Sequence, residues 1–175
     1  MSQAIIDLSA CSVINPPAPP MVATFAIESY RPWIKNVCMA EAEAYSRLDA
    51  VCISIVGSST NRPVLSGFLE VLSLRFDDVD PARFSRLEVG QYRFFSVDDA
   101  IAIKKFADRH RGDNIVVHCH AGISRSGAVV EALLQYMPEY VDGSGRNSRM
   151  PNSFVKMLLK RVLGLVPIGV GYMGN

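Results

Sequence analysis

The sequence has almost no net charge: 18 Lys and Arg face 17 Asp and Glu, leaving +1 at pH 7. It therefore lacks the basic or acidic excess that suits a nucleic acid or an acidic surface, and any anion site must be built locally. Long apolar runs are scarce too. The longest late one, Val162 to Met173, is interrupted by glycine and too short to cross a bilayer. Met1 to Ala10 has no basic stretch of the kind that opens a secretory signal. The four cysteines, Cys11, Cys38, Cys52 and Cys119, show no close-set pairing pattern. Together these absences predict a cytoplasmic chain with reduced thiols, no membrane anchor and no nucleic-acid partner.

What is present fits a folded domain. Hydrophobic residues make up 49% of the 175 and charged ones 20%, a globular balance rather than a disordered one. Residues 1 to 21 end in Asn15-Pro16-Pro17-Ala18-Pro19-Pro20 and form a Pro-rich arm, because such a run enters neither a helix nor a central strand. Residues 22 to 175 form the domain. Met21 to Ile27, Ala50 to Val56 and Val71 to Phe76 read as strands, and Asn114 to Val117 as a strand buried on both faces. Trp33 to Leu48 reads as a helix. A second helix starts at the capping box Ser96-Val97-Asp98-Asp99 and runs to about Arg109, with Ala100, Ile101, Ile103 and Phe106 available for burial.

Gly127 to Met137 is an apolar core helix, and residues 81 to 95 are a long loop with one turn of helix. Asp142-Gly143-Ser144-Gly145 reads as a flexible break. A last amphipathic helix follows Met150-Pro151-Asn152-Ser153, with Phe154, Val155, Leu158, Leu159 and Val162 on its buried side. Strands alternating with helices predict an α/β single domain, a mostly parallel sheet of four to five strands flanked by helices.

The chemistry gathers at His118-Cys119-His120-Ala121-Gly122-Ile123-Ser124-Arg125-Ser126, where a strand turns into a helix. A helix N-terminus lowers a cysteine pKa from ~8.5 into roughly the 3.5–7.5 range, and the thiolate is the nucleophile. Free amides at the same helix start form a site for a phosphate-like anion. Gly122 lets the loop curl so that the amides from His120 to Ser124 point inward. Arg125 adds a planar fork for two phosphoryl oxygens. Cys119 is placed to attack phosphorus and form a thiophosphate. Ser126 can donate a hydrogen bond to the sulfur and make it a better leaving group.

Cys119 through Arg125 matches the CX5R signature of the protein tyrosine phosphatase superfamily, and HCHAGISRS resembles its dual-specificity branch. The resemblance covers roughly residues 50 to 164, including a Pro-Asn followed by Phe at the last helix. It implies a general acid just past a strand end, two residues beyond an apolar one. Phe76 puts Asp78 in that role, with Asp77 the runner-up. The stretch from Asp78 to Cys119 is longer than in compact dual-specificity enzymes. The extra length lies in residues 80 to 95, where a lid or substrate-selecting loop is one reading.

The expected activity is a cofactor-free, metal-free, cysteine-dependent phosphatase acting on phosphotyrosine, and on phosphoserine and phosphothreonine, in a phosphoprotein substrate. The protein is expected to be a monomer. His118 orients the loop or tunes the thiolate through hydrogen bonds rather than acting as a base, and a Cys–His protease pair fits poorly because neighbours at a strand end point to opposite faces. A zinc site from His118, Cys119 and His120 lacks a fourth ligand at a recognisable spacing. Two other activities use the same loop: a phosphoinositide or RNA 5′-phosphate phosphatase, and a phosphate-binding module without turnover. Residues 120 to 124 contain no lysine, which counts against lipid.

Overall fold

The computed structural model describes residues 30–81, 89–145 and 150–167. Arg31 to Asn175 form one compact unit. The Pro-rich arm, the strand expected over Met21 to Ile27 and the end of the late apolar run lie outside the described residues.

The unit is α/β, and its described residues form a five-stranded, all-parallel sheet in the order β3 (Val71–Arg75), β2 (Ala50–Val56), β4 (Asn114–Cys119), β1 (Trp33–Cys38), β5 (Val141–Asp142). The two central strands, β2 (Ala50–Val56) and β4 (Asn114–Cys119), are buried along their whole length. A continuous β-branched run suits this position, because helices cover both faces of a parallel sheet. Alternation sorts the side chains. Val51, Ile53, Ile55, Ile115 and Val117 join one core, while Ala50, Cys52 and Val116 join the smaller core on the opposite face. β3 (Val71–Arg75) pairs along the outer side of β2.

The helix expected over residues 33 to 48 is corrected in part. Trp33–Cys38 is a strand, β1, and only Met39–Glu43 is helical, α1. The open edge of β4 decides this: Ile34, Asn36 and Cys38 stand in register with Ile115, Val117 and Cys119. Pairing with a buried strand outweighs the helix-forming composition, which itself begins only at Met39.

The expected break at residues 142 to 145 is also corrected. Val141–Asp142 form a short edge strand, β5, on the outer side of β1. Beyond it, Gly143 donates to the Ile34 carbonyl at 3.0 Å, and Ser144 Oγ accepts the Asn36 amide at 2.8 Å. Backbone groups at the open edge of β1 needed partners, and this segment supplies them.

α2 (Val97–Arg109) starts at the predicted capping box, with Asp99 N on Ser96 Oγ and Ser96 N on Asp99 Oδ2. Ala100, Ile103, Phe106 and Ala107 form its buried stripe. Ile101, expected to be buried, is exposed because it lies one position off that stripe. α3 (Arg125–Tyr136) is buried on most sides. α4 (Ser153–Val162) buries Val155 and Leu159, while Phe154, Leu158 and Val162 rest half-buried against the same core. In the 81–95 loop, the described part holds one 3-10 turn at Val89–Gln91. The carboxyl end of the sheet, where open α/β folds place their ligands, is where β4 passes into α3.

Candidate active site

β4 ends at Cys119 and α3 begins at Arg125, so the five residues between them make a tight loop. Gly122 sits at φ +65°, and a Cβ there would lie 2.5 Å from the Val37 carbonyl carbon and 2.6 Å from Cys38 N. The loop is pressed onto the end of β1. Asn36 Nδ2 donates to the Gly122 carbonyl at 2.7 Å, and Met39 N donates to the His120 carbonyl at 3.2 Å. Gly122→Ala adds about 1–2 kcal/mol of left-handed strain and displaces the loop. A fall in kcat/KM on the order of 10²-fold is expected. Turnover assays beside a melting curve would check it, and wild-type activity in this variant would contradict the account of the loop.

Cys119 is buried, and Ser126 Oγ donates to its sulfur at 3.1 Å. Burial alone pushes this thiol up. The Ser126 hydroxyl, the Ser126 and Ile123 amides and the Arg125 guanidinium outweigh it and bring the thiol below its ordinary value. Cys52, inside β2, has burial with nothing to offset it, and its thiol is pushed up. Alkylation by iodoacetamide should therefore select Cys119 over Cys52. In the native protein its reaction persists as pH falls below the ordinary thiol range and is lost only at the lowered pKa. Cys52 stays unreacted until the protein unfolds. Mass spectrometry of the labelled peptides distinguishes the two, and equal pH profiles for native and urea-unfolded Cys119 would contradict the thiolate.

Arg125 lies in the first turn of α3 and is buried. Its Nη1 donates to the Phe76 carbonyl, just past β3, at 2.9 Å. Its Nε, also buried, has no hydrogen-bond partner among the described residues and stands 4.0 Å from Asp78 Oδ2. Buried donors are nearly always satisfied in a folded protein, so an orphan one beside a thiolate fits a bound anion.

The two candidate acids separate clearly. Asp77 Oδ1 accepts the Ser58 amide at 2.8 Å, and its Oδ2 accepts the Arg93 amide at 2.9 Å. Burial works to raise its pKa, but these two amides and Arg125 prevail and hold the carboxyl below its usual range. Asp77 thus braces the end of β3. Asp78 faces the loop: its Oδ1 accepts Ser124 Oγ at 2.7 Å and Asn152 Nδ2 at 2.9 Å. The structure brings Asp78, Ser124 and Arg125 together, and Asp77, which also feels the Arg125 charge, has both carboxylate oxygens on backbone amides.

His118 is fully buried, and its Nε2 pairs with Ser54 Oγ on β2 at 2.8 Å. Burial first, and then the Arg125 charge, push its pKa down to about 4 against the opposing Cys119 backbone. The ring is neutral at pH 7 and ties β4 to β2. His120, Ala121 and Ile123 are exposed on the loop. Among the described residues, no group of three His, Cys, Asp or Glu is placed to hold a metal ion. No helix there is long and apolar enough to cross a membrane.

A cleft of about 440 Å³ lies between residues 78–80 and 150–153, and it shares Asp78 and Ser124 with the site. Sequence reading missed Asn36, Ser54 and Asn152 as partners of the site. The available signals were polarity inside or beside predicted apolar elements and, for Asn152, its place in the Pro-Asn at the start of the last helix.

No family model matches the sequence, and no curated protein matches it. Among solved structures, the chain is similar to Tk-PTP in its active form, at 19% identity and a TM-score of 0.47. That alignment covers 78% of this chain and 94% of the other. It is also similar to the human tyrosine phosphatase-like serine/threonine/tyrosine-interacting protein, at 21% identity and a TM-score of 0.44. Here 67% of this chain and 78% of the other are covered.

Proposed function

We propose that this chain is a cysteine-dependent protein phosphatase that hydrolyses phosphotyrosine, and phosphoserine and phosphothreonine, through a thiophosphate on Cys119. One observation carries the reading: a thiol held below its ordinary pKa shares its loop with a buried guanidinium whose Nε has no partner. A tetrahedral dianion would satisfy that N–H and the loop amides together.

In the first step the Cys119 thiolate attacks phosphorus. An S–P bond forms, the ester P–O bond breaks, and Asp78 passes a proton to the departing oxygen. In the second step water attacks the same phosphorus and gives a proton to Asp78. The S–P bond breaks, and the Ser126 hydroxyl, 3.1 Å from the sulfur, stabilises the returning thiolate. Inorganic phosphate leaves. The chain's own groups suffice for this sequence, with His118 neutral and holding the strand behind the loop.

A reducing compartment such as the cytoplasm suits a chemistry that needs Cys119 as thiolate. Release of phosphate from p-nitrophenyl phosphate, followed by a panel of phosphopeptides and phosphoinositides, tests the reading. Preference for phosphopeptides supports it, and preference for phosphoinositides moves the substrate class to lipid. Tight phosphate binding without turnover would make the chain a binding module.

A further inference from the structure

We propose that Asn152, which no part of the mechanism above uses, is a positioning residue for the proton donor. It fixes Asp78 through Oδ1 and thereby makes Oδ2 the oxygen that carries the proton. The inference rests on the reading of Asp78 as general acid.

Asn152 is the N-cap of α4, and both ends of its amide are engaged. Oδ1 accepts the Val155 amide at 3.0 Å, which satisfies the helix start. That contact fixes the orientation of the side chain, because a backbone N–H can only donate. Nδ2 must then face the other way, and it donates to Asp78 Oδ1 at 2.9 Å. The backbone amide of Asn152 donates to the Ser124 carbonyl at 3.2 Å. One residue thus joins the acid-bearing loop, the end of the thiol loop and the start of α4.

The division of labour on the carboxyl group follows. Oδ1 already accepts two donors, Ser124 Oγ at 2.7 Å and Asn152 Nδ2 at 2.9 Å. A proton on Oδ1 would meet both. Among the described residues Oδ2 has no such donor, and it faces Arg125 Nε at 4.0 Å, the side where a phosphoryl group would sit. Serine and aspartate cap a helix about as well as asparagine does. Neither offers an amide N–H pointing away from the cap, so capping alone does not require asparagine here.

The test uses Asn152→Ser, which keeps a capping oxygen and leaves the charge unchanged, with Asn152→Asp as a second capping replacement. Two substrates separate positioning from structure. Phenyl phosphate needs its leaving oxygen protonated, and 2,4-dinitrophenyl phosphate does not. Asn152→Ser should lower kcat on phenyl phosphate by about 10–100-fold, the scale of a misplaced catalytic group. On dinitrophenyl phosphate the loss should stay below about threefold, with no comparable change in melting temperature. In the Asp78→Asn background the same substitution should cost nothing further, because the two act as one unit. An equal loss on both substrates, or a full additional loss on top of Asp78→Asn, overturns this inference alone. A wild-type protein that turns over neither substrate overturns the reading of the site and takes this inference with it. So does an Asp78→Asn protein as active on phenyl phosphate as wild type.

Discussion

In the Cys119→Ser protein, phosphate release from p-nitrophenyl phosphate falls by roughly 10⁴–10⁶-fold, the range seen when a nucleophile is removed, while a phosphotyrosine peptide still binds. The two outcomes separate because different groups carry them. In the proposed reaction binding rests on the loop amides and on Arg125, whose Nη1 is anchored on the Phe76 carbonyl and not on residue 119. Attack would rest on the thiolate. Its charge is favoured by the Ser126 hydroxyl, two amides and the guanidinium, which only together overcome burial. A serine hydroxyl ionises far above any working pH, and the same surroundings do not bring it within reach. Isothermal titration with the peptide, run beside the turnover assay, checks both halves. Loss of binding together with turnover would mean that the sulfur holds the loop in shape.

Asp78→Asn should lower kcat by roughly 10²–10⁴-fold, typical for loss of an acid–base group. The loss should grow as the leaving group becomes more basic. Asp77→Asn makes the informative contrast. Both Asp77 oxygens accept backbone amides, from Ser58 and Arg93. Replacing one of them with an NH₂ turns an acceptor against a donor, which costs stability, about 1 kcal/mol or less because both bonds are open to solvent. Its pKa is lowered in the folded protein, so its contribution is present above the unfolded carboxylate value and is lost as pH falls through the folded one. Asp77→Asn should therefore lower the melting temperature at neutral pH more than at low pH and leave the leaving-group dependence unchanged. A steep leaving-group dependence in Asp77→Asn instead of Asp78→Asn would reverse the assignment.

The centre of the site was legible because it is local. A β-branched run, a cysteine, a glycine, an arginine and an apolar helix follow one another within residues 114 to 137. Each constrains the next through backbone geometry alone. Asp78 and Asp77 both follow a strand end, and nothing local separates them. The difference in their partners, the Ser58 and Arg93 amides on Asp77 and the Ser124 and Asn152 side chains on Asp78, comes from other segments.

β1 was misread for a related reason. Trp33 to Cys38 looks like part of a helix when averaged with the Ala and Glu that follow. Only the unpaired edge of β4 makes it a strand. The supporting polar residues were out of reach by distance along the chain. Asn36 is 86 positions from Gly122, Ser54 is 64 from His118, and Asn152 is 74 from Asp78. Periodicity within one element carries no record of such pairs.

Rapid acid quench of a reaction with a ³²P-labelled phosphopeptide tests the covalent step most directly. The Ser126→Ala protein suits it best, because loss of the hydroxyl on the sulfur slows breakdown of the intermediate. The account predicts one labelled phosphoryl group per chain, recovered on the peptide that holds Cys119 and missing from Cys119→Ser. Turnover with the label on another residue, or with no label on the protein at all, would contradict it.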